Sequence, residues 1–221
     1  MYELLNNMNS SIILDIALSS LTLNHWHPIG RRISKTSYND DDDETKKIIK
    51  YTYSNQDAIQ EDSYSIKEEK EKLKSTKEYI YGKWVDDVIA VIITTHPEGR
   101  IIPAKAGIHK NNSSVYFFHK DHLNSITAIT DSNWKIIEEY NYDTFWKPYI
   151  RDGKSNNFRE FTESKIWNTR LFTWREYDRE INLYYYRARY YSADLGRFIS
   201  RDPIWTRDNI NLKYYIEILG Q

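Results

Sequence analysis

Three groups of residues have the types and spacing that could do chemistry. The first is His119-Lys120-Asp121-His122, because imidazole nitrogens and carboxylate oxygens bind metals. Its histidines stand three apart, a spacing that does not bring both to one face of a strand, and no third ligand follows nearby. The second is the pair Asp178 and Asp202. Two aspartates can share a proton and split their pKa values when their carboxyls lie within about 3 Å, a distance that spacing alone does not establish. The third is residues 183–198, "LYYYRARYYSADLGRF", which pack five tyrosines and two arginines into nine residues. Such rings and guanidinium groups can stack on bases or sugars, or on one another within a sheet. The chain has no Ser-His-Asp, P-loop or His-Glu-x-x-His pattern. These residues assign no catalytic, cofactor-binding or metal-ligating position, and the chain is expected not to be an enzyme.

The elements that must position these groups read as strands. "RRISKTSY" and "KKIIKYTYS" are β-like runs on either side of an acidic run at 40–44, which reads as a solvated hairpin tip. A calcium loop would need spaced ligands and a glycine, and this run has neither. "DAIQEDSYS" suggests a further strand. "IKEEKEKLKSTKE" suggests a charged loop or a short exposed helix with i,i+4 pairs. "YIYGKW" and "DDVIAVIITT" suggest a hairpin around 85–87, and 96–112 an irregular insert. The clearest β segment is "SVYFFHKDHLNSITAITDSNWKIIEEYNYD", with a turn at 131–134. "LFTWREYD" and "NLYYYRARYYSA" suggest a strand–turn–strand unit around 178–182. If 183–192 is one strand, Tyr184, Tyr186, Ala188 and Tyr190 face one side and Tyr185, Arg187, Arg189 and Tyr191 the other. Residues 1–28 show no clear period, and a short helix is the reading there.

Composition narrows the class. The chain has 221 residues with 29% charged and a formal net charge of −1. That balance argues against a nucleic-acid partner, which usually meets a basic excess. Glu176, Asp178, Glu180 and Asp194 flank the tyrosine segment, so its basic character is local, and the tyrosines read as sheet wall. There is no cysteine, which excludes disulfides and thiolate metal sites. The N-terminus lacks a basic region, and Asp15 interrupts its apolar run, so no signal peptide is read; no stretch is apolar enough for a membrane span. Tyrosine is abundant, at 19 residues, and glycine scarce, at 7.

The units recur. "KYTYS", "YIYG", "EYNYD" and "REYD" each close a strand with a similar element, and "GRRISK" returns as "GRFISR". A hairpin-sized unit repeated along a chain signals stacked hairpins, each unable to bury its apolar face alone. With "YFFHKDHLNSITAITDSN" (116–133), "EYNYDTFWKPY" (139–149), "FTWREYDREINLYYYRARYYSADLGRFISRDPIW" (172–205), "GRRISKTSY" (30–38) and "YIYGKWVDDVIAVI" (79–92), the chain resembles the Tyr-Asp (YD) repeats and the Rhs repeat-associated core domain.

The resemblance implies an all-β fold, in which antiparallel β-hairpin repeats form part of a spiralling YD-shell sheet. It implies an unassigned segment at 1–28, a degenerate repeat region at 29–110 with inserts at 61–78 and 96–112, a core at 113–205 and a short tail at 206–221. Family members are large secreted or cell-surface polymorphic toxins whose shell encloses a C-terminal toxin. Self-cleavage at a later Asp-Pro-x-Gly-Leu motif, helped by core aspartates, frees the toxin in many of them. Here that motif is absent, and the tail is too short for a toxin domain, so the expectation is a truncated structural fragment of the shell. The expected partners are other YD-repeat chains or an enclosed toxin, with no cofactor and with self-association through edge strands. The alternative is a cell-surface adhesion or carbohydrate-binding module. Trp134, Trp146, Trp174 and Trp205 stand where the family has glycine, with Trp167 a further candidate. A bulky side chain in a left-handed turn costs about 1–2 kcal/mol. The expectation is a decaying gene or one with altered turns, whereas Asn124 at another such position is a mild change.

Overall fold

The computed structural model describes residues 12–17, 20–26, 31–38, 46–55, 57–67, 70–83, 87–96 and 112–201, with backbone alone for 12–17, 20–23, 26 and 38. Twelve strands form one sheet in strict chain order. They are β1 (Ile12–Ala17), β2 (Ser20–Trp26), β3 (Arg32–Tyr38), β4 (Lys46–Ser54), β5 (Asp57–Lys67) and β6 (Lys70–Tyr81). The second half is β7 (Val88–Thr95), β8 (Ser113–Lys120), β9 (Ile126–Asp131), β10 (Ile136–Tyr142), β11 (Pro148–Asp152) and β12 (Arg159–Glu160). Every neighbouring pair is antiparallel, so the sheet is a continuous meander of hairpins. A second sheet of four strands follows: β13 (Glu176–Asp178), β14 (Leu183–Tyr185), β15 (Tyr190–Ser192) and β16 (Arg197–Phe198). The fold is all-β and antiparallel, as the repeats imply. Among the described residues no helix is long and apolar enough to cross a membrane.

Strand periodicity places the core. Ser75, Lys77 and Tyr79 of β6, Ile126 and Ile129 of β9, Glu138 and Tyr140 of β10, and Pro148 and Ile150 of β11 are buried. The small sheet and the segment leading to it pack over β6–β11, joining Phe161, Ile166, Leu171, Trp174, Tyr177, Tyr184 and Tyr191 to Val88, Val91, Ile93 and Phe118. Edge-to-face contacts recur there: Trp174 meets Phe118 at 5.1 Å and Tyr79 at 5.9 Å, and Phe161 meets Tyr177 at 5.8 Å. Such pairs stabilise by roughly 0.5–1.5 kcal/mol beyond the area they bury.

Three expectations need correction. The N-terminal stretch contributes two paired strands, with no helix among its described residues. Of the charged run 66–78, residues 66–67 lie in β5 and 70–78 in β6, the longest strands of the sheet, while 68–69 lie outside the described residues. Its lysines and glutamates suit a helix in isolation, but main-chain pairing to β5 on one side and β7 on the other decides the outcome. Residues 183–192 are a hairpin, not a single strand. Arg187 takes φ 61°, and the Tyr186 amide donates to the Arg189 carbonyl at 2.8 Å. The hairpins at 85–87 and 131–134 and the unit around 178–182 pair as expected, although 84–86 themselves lie outside the described residues. So do the acidic run at 40–44, the insert at 97–111, Asp202 and Trp205.

Turns within the sheet repeat one plan. Asp131 Oδ1 accepts from the amides of Asn133 and Lys135, at 2.8 and 3.0 Å. Asp143 does the same for Phe145 and Lys147, both at 2.8 Å, and Asp121 for Leu123 and Ser125, also at 2.8 Å. The fourth residue of each loop donates its amide to the aspartate carbonyl and takes a left-handed conformation: Asn124 (φ 64°), Trp134 (63°) and Trp146 (71°). Trp167 (55°) and Trp174 (60°) occupy the equivalent place after Ser164 and Leu171. Trp134, Trp146, Trp167 and Trp174 therefore sit where a glycine conformation is required.

Candidate functional site

The densest polar constellation is a buried ion cluster between β3–β5 and the small sheet. Arg32 is fully buried and its guanidinium forks onto Asp178, at 3.0 and 2.6 Å, while also donating to Glu176 at 3.1 Å and to the Tyr190 hydroxyl at 3.1 Å. Its plane lies over the Tyr185 ring at 4.2 Å. Lys35 donates to Asp178 at 2.8 Å and to Glu180 at 2.7 Å. Tyr51 donates to Glu176 at 2.6 Å. One strand away, Arg170 binds Glu61 at 2.9 Å, with Lys77 at 3.5 Å on the same carboxyl.

The charges fix one another. Burial alone would raise the Asp178 carboxyl, but Arg32 and Lys35 outweigh it and hold the group well below the usual carboxylate range. Glu61 is depressed in the same way, burial being outweighed by Lys77 and Arg170. Burial lowers the Arg32 guanidinium, and Asp178 and Glu176 more than restore it, so it stays charged. Burial and the neighbouring Glu176 push the Tyr51 hydroxyl far up. An anionic Asp178 that accepts three charged hydrogen bonds, from two Arg32 nitrogens and the Lys35 ammonium, is a fastener with both oxygens engaged. A second buried carboxylate, Glu138, is closed similarly by Tyr140 at 2.5 Å, Ser164 at 2.8 Å and the Lys165 amide.

The other groups named from sequence are dispersed. His119 Nε2 pairs with the Thr130 hydroxyl at 3.0 Å, Asp121 closes its turn, and His122 is exposed. No three His, Cys, Asp or Glu residues group as a metal site among the described residues. The tyrosines are wall: Tyr184 is fully buried, Tyr185, Tyr190 and Tyr191 nearly so, and the Tyr184 hydroxyl donates to the Trp146 carbonyl at 2.8 Å. Sequence reasoning missed Arg32, Lys35, Tyr51, Glu61 and Arg170. The repeated "GRRISK" phrase was the one signal for the first two, and it does not show that their partners lie more than 140 residues away.

Beside the cluster a cleft of about 340 Å³ opens between β4–β6 and the segment 161–180. Lys35, Lys46, Lys47, Lys74, Lys77 and Arg179 line it, together with Tyr64, Phe161 and Tyr177.

No family model matches the chain. It is similar to the tRNA3(Ser)-specific nuclease WapA of Bacillus spizizenii, 31% identical over 99 residues that span 43% of this chain and 4% of that protein. The tRNA nuclease WapA of Bacillus subtilis is 34% identical over 92 residues, 40% of this chain and 3% of that protein. The toxin protein Tse5 of Pseudomonas aeruginosa is 27% identical over 109 residues, 48% and 7% of the two chains. The chain thus spans a small fraction of these relatives. Crystal structures of TcdB2-TccC3-Cdc42 and of TcdB2-TccC3 share its fold, with TM-scores of 0.61 and 0.60 at 17% and 18% identity, each over 92% of this chain and 9% or 10% of theirs. These structures share the antiparallel all-β fold of this chain, and the partial relatives are named as tRNA nucleases and a toxin protein.

Proposed function

We propose that the chain is a wall segment of an Rhs-type YD-repeat shell, whose role is to enclose and deliver a toxic polypeptide, and that it carries out no catalysis itself. The observation that carries this reading is the Arg32–Asp178 fastener, which welds a long hairpin meander to a small closing sheet with every oxygen of Asp178 committed to structure. The YD-shell architecture and the local similarity to nuclease and toxin proteins support it. Its partners are then other YD-repeat chains or an enclosed toxin, and its place is outside the cell or at its surface. Mixing the purified chain with a separately produced YD-repeat chain tests the reading. Co-elution in size-exclusion chromatography is the expected result. Saturable binding on a glycan array without co-elution would favour the adhesion module and overturn the shell assignment.

A further inference from the structure

The cleft beside the ion cluster has more cation than its own acids use. Its three carboxylates are each taken: Glu180 by Lys35 at 2.7 Å, Glu61 by Lys77 and Arg170, and Glu163 by Arg179 at 3.2 Å. Lys47 and Lys74 at the mouth make no ion pair with any described residue. The Lys47 side chain is exposed to solvent at the cleft, and its ammonium is held below its ordinary pKa, first by neighbouring atoms that displace part of its water and then by Lys77, with Arg179 and Lys35 adding to it and Glu180 opposing it. An ammonium disfavoured by like charges gains most from an incoming anion. The volume suits a small molecule, and the Tyr64, Phe161 and Tyr177 rings supply apolar walls. We propose that this cleft binds a multiply charged oxyanion, phosphate- or carboxylate-bearing, with Lys47 as a direct contact. Titration calorimetry with pyrophosphate and with citrate, in low salt, tests it. Saturable one-to-one binding of either is expected, weakened at least fivefold by Lys47→Met and unchanged by Lys50→Met, whose lysine pairs with Glu71 outside the cleft. The stronger of the two probes identifies the source of the charge. Absence of saturable binding, or equal weakening by both variants, overturns the proposal; circular dichroism checks that each variant keeps the sheet.

A second inference stands on the turns alone. Asn55, Asn124, Asn182 and Gly196 hold left-handed positions at φ 52°, 64°, 55° and 62° and are residue types that tolerate it, while Thr173 and Arg187 take it once each, at 47° and 61°. Trp134, Trp146, Trp167 and Trp174 hold the same conformation at 55–71°, and they are all the tryptophans whose side chains are described. Only a few per cent of non-glycine residues take positive φ, so four in four is not a property of tryptophan. Drift in a decaying gene would scatter several residue types over glycine positions, because glycine codons change by single bases to arginine, serine, aspartate, alanine and others. A single codon with two readings does select one type. The stop codon UGA is reassigned to tryptophan in some genetic codes and to glycine in others. We infer that the gene carries UGA at these positions and that its own cell inserts glycine there. Sequencing the gene, with peptide mass spectrometry on the protein from its native cell, decides it. UGA codons are expected throughout, with each peptide lighter by the difference between a tryptophan and a glycine. UGG at any of these positions, or native peptides of tryptophan mass, overturns the inference.

Discussion

The two halves of the interface between the sheets are held by opposite chemistries. Over β6–β11 the contact is apolar and aromatic, with Ile129, Phe118, Trp174 and Tyr184 interlocked. Over β3–β5 it is ionic, with Arg32, Lys35, Glu176 and Asp178 removed from water together. Ring packing is tolerant of partner and stabilises in proportion to area. A buried ion cluster contributes little net stability, because desolvation offsets attraction, but it penalises any arrangement that leaves one charge alone. The aromatic half therefore supplies adhesion, and the ionic half selects which strands the closing sheet meets.

Breaking the ionic half should have the largest effect. Asp178→Ala leaves Arg32 and Lys35 buried without their shared carboxylate and should cost about 3–5 kcal/mol in urea unfolding. Ile129→Ala in the fully buried apolar half should cost about 2–5 kcal/mol by the same measurement, through lost transfer energy and the cavity left behind. If the apolar change costs clearly more, the fastener is the weaker half and the comparison is wrong.

Acid separates the halves without mutation. The folded Asp178 carboxyl titrates below its unfolded value of about 3.9, so its contribution is fully present above that pH. It is lost progressively as pH falls below that value toward the lower folded one, and Glu61 acts in the same direction. Denaturation at pH 6 and at pH 2.5 should show this loss, and Asp178→Ala should reduce it. The smallest effect, of opposite sign, belongs to the exposed turns. Trp134 is 68% exposed, so Trp134→Gly removes left-handed strain while losing little beyond its stack on Phe117. A gain of about 1 kcal/mol is expected in thermal unfolding. Trp146, stacked on Phe172 at 4.8 Å and on Tyr191 at 4.2 Å, should show no such clean gain, because packing opposes the relief.

Much of the fold was legible because it is local. Hairpins such as 126–142 need only alternation and a turn within about fifteen residues, and the tryptophan turns announced themselves by standing where the repeats call for glycine. The charged run 66–78 was misread because its residues suit a helix in isolation, and the pairing that overrules them comes from strands on both sides. The tyrosine segment 183–192 was misread for a related reason: nothing in its residue types marks Arg187 for positive φ.

By itself the sequence determined the repeat and the β class, since each follows from the period and type of neighbouring residues, and the resemblance to YD repeats marked the strained turns. Only the tertiary structure decided that Arg32 meets Asp178 and that Lys47 faces a cleft whose acids are already taken. Those pairings join strands far apart in the chain. A charge carries no mark of its partner until the sheets close and water leaves.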